Sequence, residues 1–269
     1  MTPNPQRPTR FVGHLFPQVI PDPGEVEPGA PAPWAILPSS SRSNLSLDHV
    51  ATMLRSSHRL LGTDFPPDQP AELAFVADAA PVPIARRSAV LMALFEEEGE
   101  AHVILTRRAL SLRHHKGEIA LPGGRCEEDE SAVETALREA HEEVGLEPSL
   151  VTPLAWLSPI ISFASSSAIW PIVGTLTHRP TFTINEAEVD RVFTVALKDL
   201  VAEGAFVEER WRRSEPRPGA DPDGSFAIYF FKVPGDVIWG ATARVLTELL
   251  CHVTGVPWPG ERGLSSESS

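Results

Sequence analysis

Residues 123–146 read GGRCEEDESAVETALREAHEEVGL, and no other stretch limits the fold as much. Ser131 followed three residues later by Glu134 is a capping-box pattern, in which side chains and backbone satisfy each other at a helix start. Gly145 stands just past the last apolar position, where a helix stop favours glycine. The spacing therefore predicts a helix over about 132–144. With 3.6 residues per turn, Val133, Ala136, Leu137, Ala140 and Val144 share one face, which must be the buried one. Glu139, Glu142 and Glu143 share another. Carboxylates at i, i+3 and i+4 repel each other. A divalent cation among them offsets that repulsion, and hard oxygen donors suit Mg²⁺ or Mn²⁺. Arg138 is placed to hold one carboxylate through a guanidinium fork. The plainer reading of Glu142 and Glu143 alone is a solvated acidic face, the common fate of glutamates.

The rest of the chain sets the frame. It has 269 residues and a formal net charge of −13, which argues against a general nucleic-acid binder with its basic footprint. Two cysteines, Cys126 and Cys251, are too few for a disulfide scaffold and point to a reducing, cytoplasmic setting. No apolar run is long enough to span a membrane. Residues 1–38 hold 10 of the 27 prolines and read as a disordered or surface-wrapping arm. Residues 39–258 fit one domain, and 259–269 read as a disordered tail. Ser46 is placed to cap a helix over 47–62. Apolar runs at 88–95 and 101–107, joined by EEEGE, predict a β-hairpin. Further strands are expected near 153–161, 169–178, 205–212 and 225–233, a polar loop over 213–224, and a last helix over 241–253. Elements that mix without regular βαβ alternation favour an α+β sandwich with a mixed sheet.

The order of residues around the predicted helix is more specific. It runs Gly124, five residues, Glu130, seven residues, Arg138-Glu139-Ala140, one residue, Glu142-Glu143, one residue, Gly145-Leu146. This resembles the Nudix box, G-x5-E-x7-R-E-U-x-E-E-x-G-U, with U a bulky aliphatic residue. Ala140 is smaller than usual at the first U. The resemblance implies a Nudix fold: an α/β/α sandwich with a mixed β-sheet and a loop–helix–loop metal site. It implies hydrolysis of a nucleoside diphosphate linked to another moiety. Glu139, Glu142 and Glu143 would be metal ligands, Arg138 would orient Glu139, Gly124 would offer its carbonyl, and Glu130 would assist from the helix entrance. The base would be Glu142, Glu143 or, outside the box, Glu188 in NEAEVDRVF.

Residues 101–117 carry Arg107, Arg108, Arg113 and Lys116 and no acid. A solvated basic edge is the plain reading. Beside a metal–phosphate site, arginine forks also match phosphate geometry. From Ile104 to Gly124 the order resembles the signature of the coenzyme A pyrophosphatase branch, L-L-T-x-R-[SA]-x3-R-x3-G-x3-F-P-G-G. Ile104 replaces the first leucine and Leu121 the phenylalanine. The resemblance implies cleavage of coenzyme A or an acyl-coenzyme A to 3′,5′-ADP and (acyl-)4′-phosphopantetheine. Arg108, Arg113 and His115 are the candidates for phosphate contacts. The expected partner is thus a small molecule, with no nucleic acid and no membrane, and a homodimer is one option for assembly. Alternatives are a Nudix hydrolase for ADP-ribose, a dinucleotide or a nucleotide sugar, and a non-catalytic ligand-sensing Nudix module. Such a module has no need of all the catalytic carboxylates, and the presence of Glu130, Glu139, Glu142 and Glu143 together favours an enzyme.

Overall fold

Alternation along one hairpin divides the apolar residues of the chain between two cores. In the computed structural model, which describes residues 18, 20–21, 23–42, 45–56, 86–162, 167–212, 221 and 223–260, strands β2 (Arg86–Glu97) and β3 (Glu100–Arg108) form the expected antiparallel hairpin, with Leu94 opposite Val103. Glu98 and Gly99 at its turn both have positive φ, 53° and 79°, as a tight two-residue hairpin turn requires. Successive strand side chains point to opposite faces. Ala89, Leu91, Ala93, Phe95 and Ile104 enter one core, and Met92, Leu94, Val103 and Leu105 the other.

The hairpin is the centre of an eight-stranded sheet in the order β4-β3-β2-β8-β6, with β5 paired to β2, β7 to β8 and β9 to β3. The other strands are β4 (Ile119–Ala120), β5 (Gly123–Arg125), β6 (Thr152–Trp156), β7 (Ile160–Ser162), β8 (Ser167–Thr175) and β9 (Val189–Ala196). β2 and β8 run parallel and their other pairings are antiparallel, so the sheet is mixed. Helix α2 (Ala132–Val144) covers one face. The other face carries α1 (Leu47–Ser56), α4 (Gly240–Thr254) and a four-stranded antiparallel sheet, β1 (Glu25–Pro28), β10 (Phe206–Arg212), β11 (Ser225–Val233) and β12 (Asp236–Trp239), in the order β1-β10-β11-β12. A short helix, α3 (Leu197–Leu200), follows β9. The α/β/α layering of the Nudix fold is thus present, with a second sheet added to one outer layer.

Several expectations need correction. Part of the proline-rich arm is ordered: Glu25–Pro28 pairs with β10, and Trp34 is fully buried, its ring 5.4 Å from Phe206 and 6.2 Å from Phe231. Proline is tolerated there because β1 is an edge strand, and one large aromatic ring anchors the segment. The single strand expected over 153–161 divides into β6 and β7 around Ser158-Pro159. Strand β9 was not expected, because Asp190 and Arg191 interrupt its apolar run. Ser46 does cap α1, its Oγ accepting from His49 N at 3.3 Å. Residues 57–62 of that predicted helix, most of the 213–224 loop, and 261–269 of the tail lie outside the described residues.

Candidate active site

Helix α2 begins and ends as its sequence requires. Ser131 Oγ accepts from Glu134 N at 3.2 Å, and Glu134 Oε2 accepts from Ser131 N at 2.9 Å. Gly145 closes the helix in the left-handed region, at φ 69°. Between them Arg138 is a hub. Its Nε and Nη2 donate to the two oxygens of Glu130 at 2.8 and 3.0 Å. Its Nη1 donates to Glu139 Oε1 at 3.1 Å and Glu142 Oε2 at 3.2 Å. Thr135 Oγ1 and Glu127 N also donate to Glu130. The guanidinium, aided by these donors, holds the Glu130 carboxyl down at about 2. Arg138 therefore donates to Glu139 while gripping Glu130 with a two-point fork.

Glu143 departs from the picture of a solvated acidic face. It is 3% exposed. Gly123 N donates to its Oε2 at 3.1 Å, and Arg108 Nη1 lies 3.8 Å from its Oε1. Burial pushes its carboxyl up to about 7; Gly123 and Arg108 oppose this, while Glu139 and Glu188 add to it. Burial also raises Glu139, against Arg138 and with help from Glu142 and Glu188. Glu188 thus acts electrostatically on both of these box carboxylates.

The backbone explains how Glu188 arrives there. The last carbonyls of a helix lack intrahelical partners. Here Val144 O accepts from Thr183 N and Glu143 O from Asn185 N, both at 2.9 Å. The segment 182–188 is thereby clamped to the end of α2. Glu188 O then accepts from Ala109 N at 2.8 Å, where Arg108 pairs with Val189 in the β3–β9 register. Arg108, Glu143 and Glu188 meet where α2, β3 and the entry to β9 converge.

Of the basic segment, only Arg108 reaches this point. Arg107 has the opposite strand parity and is 1% exposed in the other core, paired with Asp236, which also pairs with Arg191. It ties β3 to β12 and is not an anion ligand, a role legible only once Asp236 is known to face it. Arg113 is exposed on the 109–118 loop and makes no hydrogen bond or ion pair among the described residues. His115, also exposed, has φ 56° and bonds Glu118 Oε2 through Nδ1 at 3.0 Å; that bond raises its pKa. The structure brings neither into contact with the carboxylates.

The donor set suits a hard divalent cation. It is all oxygen, and burial, with a smaller contribution from neighbouring acids, raises both Glu139 and Glu143. A Cβ on Gly124 would lie 2.5 Å from the Glu139 carboxylate, so only glycine lets the loop approach that group. Among the described residues no three acidic, histidine or cysteine side chains are gathered ready around one point. Arg138 bonds Glu139 and Glu142, while Gly123 and Arg108 hold Glu143. Both cysteines are free thiols, and no described helix is long and apolar enough to cross a membrane.

Comparison with known proteins gives the same family as the box. The NUDIX domain pattern matches residues 85–215. Nudix hydrolase 22, chloroplastic, of Arabidopsis thaliana is 41% identical over 168 residues, 60% of this chain and 53% of that protein. Nudix hydrolase 15, mitochondrial, of the same plant is 40% identical over 169 residues, 60% of this chain and 56% of that protein. The chain thus spans about half the length of these two relatives. The uncharacterized Nudix hydrolase NudL of Pectobacterium atrosepticum is 32% identical over 178 residues, 66% of this chain and 88% of that protein. Matched across most of a relative's length, and with the box folded as loop, helix and loop, the chain belongs to the Nudix hydrolase family.

Proposed function

We propose that the chain is a divalent-cation-dependent pyrophosphohydrolase acting on coenzyme A or acyl-coenzyme A, with 3′,5′-ADP and (acyl-)4′-phosphopantetheine as products. The observation that carries this reading is the junction of Arg108 with Glu143. It joins the basic, coenzyme-A-type segment to the box carboxylates at one point. Glu139, Glu142 and Glu143 would hold Mg²⁺ or Mn²⁺, supported by the Gly124 carbonyl and by Glu130. When bound, such an ion neutralises a diphosphate and lowers the pKa of a coordinated water.

The chain's own residues supply the rest. Arg108 offers a planar donor pair to a phosphoryl oxygen. Arg138 keeps Glu130, Glu139 and Glu142 apart and oriented. Glu188 makes no ion pair among the described residues, so its carboxylate is free to take a proton from the attacking water. General-base assistance of this kind contributes roughly 10²–10⁴-fold. Arg113, exposed on its loop and unpaired among the described residues, would meet the 3′-phosphate, with His115 beside it.

A substrate panel tests the reading: kcat/KM with Mn²⁺ for coenzyme A, acetyl-coenzyme A, ADP-ribose, a dinucleoside polyphosphate and a nucleotide sugar. The coenzyme A species should lead. Faster cleavage of ADP-ribose than of coenzyme A would overturn the substrate assignment. Cation binding with no turnover of any of the five would favour a ligand-sensing module.

A further inference from the structure

Asn185 stands between the end of α2 and Glu188, and every polar group it carries is engaged. Its N–H donates to Glu143 O at 2.9 Å. Its carbonyl accepts from Glu188 N and Val189 N, both at 2.9 Å. Its side-chain Oδ1 accepts from Ala187 N at 3.2 Å, an Asx turn. That bond fixes the amide orientation, leaving Nδ2 to face Glu188 Oε1 at 3.5 Å, a long hydrogen bond. Among the described residues Glu188 has no arginine or lysine partner, and the side-chain donor that faces its carboxylate is Asn185. Its charge nevertheless acts on both Glu139 and Glu143.

We infer that Asn185 is a positioning residue for Glu188: its amide turns that carboxylate toward Glu139 and Glu143 and fixes its distance from the end of α2. The inference rests on the proposed hydrolysis at this site. Glu186 and Ala187 are exposed at the tip of the turn. Without the amide, nothing else in the turn would hold the Glu188 side chain on the cluster side. A donor supporting a functional carboxylate from behind commonly matters by about 10- to 100-fold.

The test is a double-mutant cycle on the full chain: wild type, Asn185→Ser, Glu188→Gln and the pair together. Serine keeps an acceptor for Ala187 N, and its hydroxyl, one atom shorter than the amide, no longer reaches Glu188. Two readouts are used, Mn²⁺ affinity from titration of the metal alone, and kcat on the substrate panel. Because the Glu188 charge acts on Glu139 and Glu143, two of the proposed cation holders, each single change should weaken Mn²⁺ binding, and through the base lower kcat, by about tenfold or more at an unchanged melting temperature. In the Glu188→Gln background, Asn185→Ser should add less than about twofold to either loss. Asn185→Asp, isosteric and still an acceptor for Ala187 N, checks folding; its kcat should fall at least as far, because a carboxylate replaces the donor. Losses that multiply, or wild-type Mn²⁺ affinity in Asn185→Ser, would overturn the inference. Wild-type protein without turnover but with the Mn²⁺ cycle as expected would contradict the hydrolase reading and leave the positioning role standing.

Discussion

Arg108 Nη1 lies 3.8 Å from Glu143 Oε1, while the adjacent Arg107 points through the opposite face of the same strand to Asp236. One step along β3 therefore separates a residue of the site from a residue of the frame. Arg107→Ala leaves the buried Asp236 with Arg191 alone and should destabilise the fold by about 3–5 kcal/mol. Arg108→Ala should leave stability nearly unchanged and raise KM for phosphate-bearing substrates. Urea denaturation and steady-state kinetics on both variants check this; equal stability losses would refute the division of roles.

The burial of Glu143 predicts a pH effect on the metal-free protein. Its folded-state pKa, about 7, lies above the ordinary 4.5. The folded state thus binds the proton more tightly than the unfolded one, and stability falls as pH rises through that window. Glu143→Gln removes the penalty and can still accept from Gly123 N. In chelator, the variant should melt higher than wild type at pH 8 and no higher at pH 4.5. Its turnover should be lost at both.

Arg138 predicts the opposite trend. Glu130 sits at about 2, below 4.5, because of that guanidinium, so its contribution is full above pH 4.5 and lost as pH falls toward 2. Arg138→Lys keeps a charge without the fork. The variant should be less stable by about 1–3 kcal/mol at neutral pH, and the gap should close on acidification. A gap that stays constant with pH would remove Glu130 from the account.

Gly124→Ala would place a methyl group 2.5 Å from the Glu139 carboxylate. Glu139 must then move. Mn²⁺ affinity should drop by about tenfold or more, with little change in melting temperature. Unchanged affinity would separate Glu139 from the cation.

The ordered part of the arm gives a stability prediction. Trp34 is fully buried against Phe206 and Phe231, so Trp34→Ala should cost about 3–5 kcal/mol. Wild-type stability on removal of residues 1–38 would contradict the packing described.

What could be read in the sequence follows from locality. The capping box and the glycine stop of α2 are fixed within one turn each, and the structure places them as expected. The β2–β3 hairpin was legible for the same reason. The fates of Arg107 and Arg108 were not, because a basic run carries no mark of which face each side chain takes. Nor was Glu143's burial, which depends on Gly123 and Arg108 closing over it. Strand β9 was missed because Arg191 finds its partner, Asp236, 45 residues away. Trp34 was hidden among prolines whose composition argued for disorder.

Product analysis after incubation of the full chain with coenzyme A and Mg²⁺ or Mn²⁺ tests the central claim most directly. The account predicts 3′,5′-ADP and 4′-phosphopantetheine in equal amounts, formed by the wild type and not by Glu143→Gln. Intact coenzyme A, or release of inorganic phosphate in place of these two products, would contradict it.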